Sequence, residues 1–299
     1  MSVLKSIIIG ALLISSNCFT EKLYPVREIK THTPADIVKL FDSLGYTKKA
    51  WEAGIKEVPR VYLQSIPKRW AKESRNLPVK LKKELFFRLL APAILTANES
   101  ILIERHKVEG ALKAKKPLSS DVVKEMTLLV HKYRIVKKGQ EVEVNEKMLK
   151  SLLIHVDAIP VSLSLAQGAN ESGWGTSRFA LLGNSLFGQW DFSGKGIAPK
   201  QQRKEYGNYG LARFDRPQDA VNAYLLNLNT HRAYAKLRTM RVQNRKISGY
   251  KLATSLNKYS ERGEAYVKDI QQMIHFNHLE ATDKAYLSEK EIINIVPVK

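Results

Sequence analysis

Apolar positions along the chain recur mostly at helical spacing. Ile37, Leu40, Phe41 and Leu44 follow Pro34 at i, i+3, i+4 and i+7 and stop at Gly45, which predicts a helix over 33–45. Before it, residues 19–32 carry no clear period and read as an irregular lead-in. The stretch VPRVYLQSIPKRW (58–70) is broken by Pro59 and Pro67. From Leu77 to Arg105 the apolar period runs on as one or two long helices kinked at Pro92, with Glu99 in mid-helix, paired or partly exposed. Lys113–Ser120 reads as a linker, Val122–Lys132 as a helix and Val136–Val144 (VKKGQEVEV) as a short hairpin or loop. A second helical unit opens near Asn145. The domain boundary therefore falls within 115–145, separating a helical N-terminal region (19–120) from a second unit (121–281). Charged residues crowd 282–299, which reads as a peripheral tail.

One run in the second unit breaks the pattern. Pro160 suits the first turn of a helix, and VSLSLAQGA continues it with Leu163, Leu165, Ala166 and Ala169 as core candidates. Gly173 and Gly175 then stop it, which leaves Glu171 close to the helix C-terminus, where the backbone dipole disfavours a carboxylate. Apolar neighbours and Trp174 raise the expected pKa further. A carboxyl that stays protonated near neutrality can donate a proton to a leaving group. The same four letters, ANES, occur at Ala97–Ser100, but no glycine break or tryptophan follows there. After Glu171, GNSLFGQW (183–190) mixes glycine, amide and aromatic side chains. Trp174, Phe187, Trp190, Tyr206 and Tyr209 offer flat apolar faces, and Asn184 and Gln189 offer hydrogen bonds, a combination that suits a sugar.

The compartment narrows the choice of substrate. Lys5, the apolar Ser6–Ile14 and the small polar residues after it form the pattern of a secretory signal peptide, with cleavage expected after Cys18. Cys18 is the only cysteine, so the mature chain is expected to hold no disulfide and no thiolate metal site. Its fold then rests on an ordinary core, and 299 residues with 44% apolar composition can supply one or two. The net charge of +20 becomes +19 once Lys5 is removed, which draws the protein to polyanions. Across the inner membrane, in the periplasm, these are anionic envelope surfaces rather than nucleic acid.

IPVSLSLAQGANESGWGTSRFA followed by GNSLFGQW resembles the signature of glycoside hydrolase family 73, the bacterial β-N-acetylglucosaminidases. DAVNAYLLNLNTHRAYAKLR and YSERGEAYVKDIQQMI resemble that family's closing helices, and VPRVYLQSIP with LAPAILTANE resembles its Bax-type branch. The resemblance implies an α+β, predominantly α fold: a lysozyme-like domain with a small β-lobe. It also implies a peptidoglycan hydrolase that cuts glycan strands after N-acetylglucosamine. Carried over by position, Glu171 matches the general acid and Asn184 and Phe187 match the family's Asn-x-Phe-Gly loop, here one residue longer. Tyr259 matches a tyrosine facing the cleft. Trp174 and Trp190 join these as candidate substrate contacts.

A second carboxylate is less clear. Asp215 and Asp219 bracket Pro217 at a helix start and suit capping. Glu205 resembles the family's lobe carboxylate, with Asp191 as the alternative; where many Bax-type chains carry an acid, this one has Gly210. A substrate-assisted route through the 2-acetamido group would need only Glu171, with Tyr259 or Asn184 orienting that group. No cofactor is implied, and no metal: His275 and His278 are spaced i, i+3 without a carboxylate to complete a ligand set. The competing readings are a lytic transglycosylase and a wall-binding or regulatory protein with little turnover.

Overall fold

The computed structural model describes residues 24–137, 139–198 and 209–298. The chain opens with strand β1 (Val26–Thr31), helices α1 (Pro34–Ser43) and α2 (Lys48–Glu52), strand β2 (Glu57–Leu63) and the single turn α3 (Trp70–Glu73). Three helices follow: the long α4 (Val79–Lys113), α5 (Ser120–Lys132) and α6 (Glu146–His155). Then come α7 (Val161–Ser172), α8 (Arg178–Gly183), the short strands β3 (Trp190–Asp191) and β4 (Gly210–Leu211), and α9 (Pro217–Thr230). Helices α10 (Ala235–Gln243), α11 (Gly249–Leu252) and α12 (Glu264–Phe276) precede the last strand, β5 (Tyr286–Pro297). The class is α+β and predominantly α, as expected. β3 and β4 pair antiparallel, with Ile197 bridged to Leu211, and form the small lobe.

Local chemistry accounts for the helix ends. Thr33 accepts from the Asp36 backbone N–H while Asp36 accepts from that of Thr33, a capping box with Pro34 in the first turn. Asn145 caps α6 through the Met148 N–H. α4 is one helix of 35 residues, about 50 Å at 1.5 Å per residue, and runs through Pro92 without ending. By composition it is apolar enough to cross a bilayer, yet two-thirds of that window is buried inside the protein, as befits a core helix.

The termini depart from expectation. Residues 19–32 do not form only a lead-in, since β1 lies within them, and 282–299 are not a peripheral tail. β5 is the middle strand of a parallel sheet in the order β1-β5-β2. Leu287, Ile293 and Ile295 of β5 are buried. Val58 pairs with Leu287 but Arg60 pairs with Ile292, so Ser288–Glu291 loops out of register next to Pro59. That charged excursion disguises the strand, and a parallel pairing between chain ends leaves no hairpin signal to read. Arg60 spans the gap: its Nε donates to the Ser288 carbonyl and its two terminal nitrogens grip Glu99 of α4 at 2.9 and 3.0 Å. Glu99 is thus paired, as expected for the first ANES. Val136–Val144 forms no strand among its described residues.

A single apolar core runs across the boundary expected at 120/121, from Phe41 and Val61 through Phe87 and Ile94 to Leu165, Tyr224 and Ile295. Two outcomes follow for stability. Ile293→Ala should cost about 2–4 kcal/mol in urea unfolding, as a fully buried truncation does, whereas Lys290→Ala in the exposed excursion should fall within about 0.5 kcal/mol of wild type. Deletion of 19–115 should yield a protein without cooperative unfolding, because it removes α4 from the core.

Candidate functional site

Helix α7 is buried from Val161 to Ala169, so both its ends must be satisfied by tertiary partners. At the N-terminal end Asp283 accepts from the Ser162 N–H at 2.8 Å, the Ser162 hydroxyl at 2.9 Å and the Gly249 N–H at 3.0 Å. Gly249 is required there: a Cβ would stand 2.1 Å from Ser162 Oγ. At the C-terminal end Gly173, Trp174 and Gly175 all take positive φ, at 55°, 62° and 76°. Such a backbone is easy for glycine and strained for tryptophan, by about 1–2 kcal/mol. Trp174 is held in it from the N-terminal region. Its ring packs edge-on against Phe86 and Phe87 of α4 at 5.8 and 5.1 Å, with Lys83 5.1 Å from the ring centre, and Trp70 Nε1 donates to its carbonyl at 3.0 Å.

Glu171 stands one residue before the helix end and is half-buried. Burial pushes its carboxyl above the ordinary carboxylate range, against the Tyr266 hydroxyl, the Asn170 amide and the charge of Arg262, which all favour the anion. The loop after α8 closes over it. Gly188 has φ 62° and so little clearance that a Cβ would meet Glu171 Oε2 at 3.2 Å. Two residues further on stands Trp190, within about 7 Å of chain from Gly188. Its exposed ring stacks on Tyr209 at 4.8 Å and on Phe192 at 6.0 Å, making an aromatic platform on the lobe.

The other expected residues divide. Leu163, Leu165, Ala166 and Ala169 are all buried. Asn184 is not available to a sugar as expected: its amide nitrogen donates to the Phe214 and Asp215 carbonyls, both at 3.0 Å, and its oxygen accepts from the Ile66 N–H at 2.9 Å. It clamps the loop to the N-terminal region. Phe187 is no sugar platform either, because its ring is 1% exposed and stacks on Tyr224 at 3.9 Å. Trp174 serves the helix end described above. Tyr259 commits its hydroxyl proton to the Phe187 carbonyl at 2.8 Å and stacks on Tyr266. Arg178, seven residues after Glu171, donates to the Ala198 carbonyl at 2.8 Å.

Among the acids, Glu205 and the aromatic Tyr206 lie outside the described residues. Asp191 accepts from the Ser193 hydroxyl at 2.7 Å and its N–H at 3.2 Å, which hold its pKa below the usual value. Asp219 caps α9 through the Arg216 N–H. Gly210 has no room for an acid, since a Cβ there would lie 3.0 Å from the Gly196 carbonyl carbon. Among the described residues no cluster of three or more His, Cys, Asp or Glu could hold a metal ion. Sequence reasoning missed Phe192, Gln167, Tyr224 and Tyr266. Only Gln167 had a local signal, standing one helical turn before Glu171.

Two measurements test this geometry. Gly210→Glu should open the β3–β4 pairing and lower the Tm rather than add a useful carboxylate. Glu171→Gln should stabilise the fold at pH 7 and hardly at all at pH 4. A folded-state pKa raised above the unfolded value leaves stability intact below the unfolded value and erodes it as pH rises through the folded one. Thermal unfolding at both pH values gives the comparison.

Residues 148–295 match the family model of glucosaminidase, described as mannosyl-glycoprotein endo-beta-N-acetylglucosaminidase. Protein bax of Escherichia coli (strain K12) is 31% identical over 195 residues, which cover 62% of this chain and 66% of that protein, slightly under two-thirds of its length. No solved structure matches. The matched segment contains α7 with Glu171, the loop over it and the aromatic lobe, so the part of the chain that carries the candidate site is similar to the glucosaminidase family and to protein bax.

Proposed function

We infer that the protein is an exported peptidoglycan hydrolase, an endo-β-N-acetylglucosaminidase acting in the periplasm with Glu171 as proton donor. The observation that carries this reading is a desolvated carboxyl at the end of a buried helix, closed over by Gly188, which stands two residues of chain before the exposed Trp190. Trp190 and Phe192 are exposed, Trp190 backed by the buried Tyr209, and they suit the apolar faces of successive sugar rings. Glu171, protonated at working pH, gives its proton to the glycosidic oxygen as the bond from C1 of N-acetylglucosamine breaks. The net charge of +20 suits a wall bearing anionic groups. The expected signal segment, 1–18, lies outside the described residues.

Positive charge developing on the sugar needs a second group. Glu205 holds that place in this reading by its resemblance to the family's lobe carboxylate, and Asp191, kept ionised by Ser193, is the alternative. One observation favours the substrate-assisted route: Gly210 packs against Gly196 and leaves no space for a lobe acid at that point. In that route the 2-acetamido oxygen attacks C1 and Glu171 alone transfers the proton.

Incubation of the purified protein and its Glu171→Gln variant with isolated peptidoglycan, read by mass spectrometry, tests the proposal. Fragments ending in reducing N-acetylglucosamine from wild type alone are the expected result. Anhydro-muramyl ends would instead mean a lytic transglycosylase, and retained binding without soluble product would mean a wall-binding protein. The pH profile of kcat/KM should fall on its alkaline side as Glu171 loses its proton, with that limb above the ordinary carboxylate range. Glu205→Gln with near-normal turnover would leave the substrate-assisted route.

A further inference from the structure

The face of α7 that ends in Glu171 carries another polar side chain one turn earlier. Gln167 precedes Glu171 by four residues, which places both on the same side of the helix, and Gln167 is fully buried. A buried amide needs partners for its donors and its acceptor. Gln167 finds them on two other helices. The Tyr224 hydroxyl of α9 donates to its Oε1 at 2.6 Å, and its Nε2 donates to the Tyr266 hydroxyl oxygen of α12 at 2.8 Å. The Tyr266 hydroxyl acts in turn on the carboxyl of Glu171, whose anion it favours.

The direction of this chain is set by its last member. An ionised carboxylate only accepts, so the Tyr266 proton must point at Glu171 and the Tyr266 oxygen must be filled from elsewhere. The Gln167 amide nitrogen fills it, which turns Oε1 toward Tyr224. A reversed amide would draw the Tyr266 proton to Gln167 and away from Glu171. The loop over the site braces both phenols. Phe187 stacks on Tyr224 at 3.9 Å, Tyr259 stacks on Tyr266 at 5.4 Å, and the Tyr259 hydroxyl ties to the Phe187 carbonyl.

We propose that Tyr224, Gln167 and Tyr266 form a one-way hydrogen-bond chain ending on Glu171, with Tyr266 as the positioning residue that occupies one carboxyl oxygen and leaves the transferable proton on the other. The role in proton transfer rests on the reading of Glu171 as proton donor. Arg262 is the charged group that acts on Glu171, and the charge of Glu171 in turn disfavours ionisation of Tyr224, Tyr234, Tyr259 and Tyr266. Burial pushes all four phenols up, Tyr234 to about 12, so none ionises while Glu171 titrates.

Tyr266→Phe removes the hydroxyl and keeps the ring stacked on Tyr259. The first readout is a carbon-13 NMR titration of the Glu171 side-chain carboxyl in the full protein, assigned by its loss in Glu171→Gln. Without the donated hydrogen bond the carboxyl should keep its proton to higher pH, by about half to one unit. The second readout is turnover: kcat should fall about tenfold or more with KM nearly unchanged, and the alkaline limb should move up with the NMR midpoint. Gln167→Leu should act in the same direction, and it serves as the test should Tyr266→Phe fail to fold. An unmoved midpoint in either folded variant would overturn the chain. If wild type releases no glycan fragment, the proton-donor reading fails, and the positioning role with it, while the NMR titration still decides whether the chain exists.

Discussion

A helix buried on every side can satisfy its ends only through neighbours, and α7 is such a helix. Asp283 and Gly249 hold its start; Trp70, Phe86 and Phe87 hold the left-handed turn at its finish. The first pair comes from the last third of the chain and the second group from the first third. Both ends of the sequence therefore converge on the segment that carries Glu171. The parallel sheet, where β5 lies between β1 and β2, repeats the arrangement at the periphery. This is why the N-terminal region behaves as scaffold: α4 is the wall against which the candidate catalytic helix is set.

The same burial makes Glu171 chemically useful and structurally expensive. Desolvation favours its protonated form, and Tyr266, Asn170 and Arg262 moderate that effect without removing it. Gly188 closes over the carboxyl because it alone has no side chain to collide with Oε2. The residues next to it in sequence then divide between two jobs. Phe187 turns inward to stack on Tyr224, while Trp190 turns outward with Phe192 and rests on the buried Tyr209. A loop of a few residues thus closes over the carboxyl and supplies the exposed aromatic ring two residues further on.

Buried hydrogen bonds explain why residues chosen for sugar contact serve elsewhere. Asn184 and Phe187 have side chains that bind carbohydrate well, and both are consumed by the fold. An amide or an aromatic ring is equally suited to a clamp and to a ligand contact. Residue type does not separate the two, and only the geometry of neighbours does.

The sequence by itself determined the helical class, the start and stop of α1 and α7, the start of α6, the burial of Leu163, Leu165, Ala166 and Ala169, the mid-helix place of Glu99 and the position of Glu171 near a helix end. Those are local properties: caps, glycine breaks and apolar period act within a turn or two of chain. Tertiary structure decided the central place of β5, the clamp at Asn184, the inward turn of Phe187 and the meeting of Gln167 with Tyr224 and Tyr266. Each of these joins residues dozens to hundreds of positions apart. The free energy of such contacts depends on what packs opposite, a quantity that no short stretch of sequence contains.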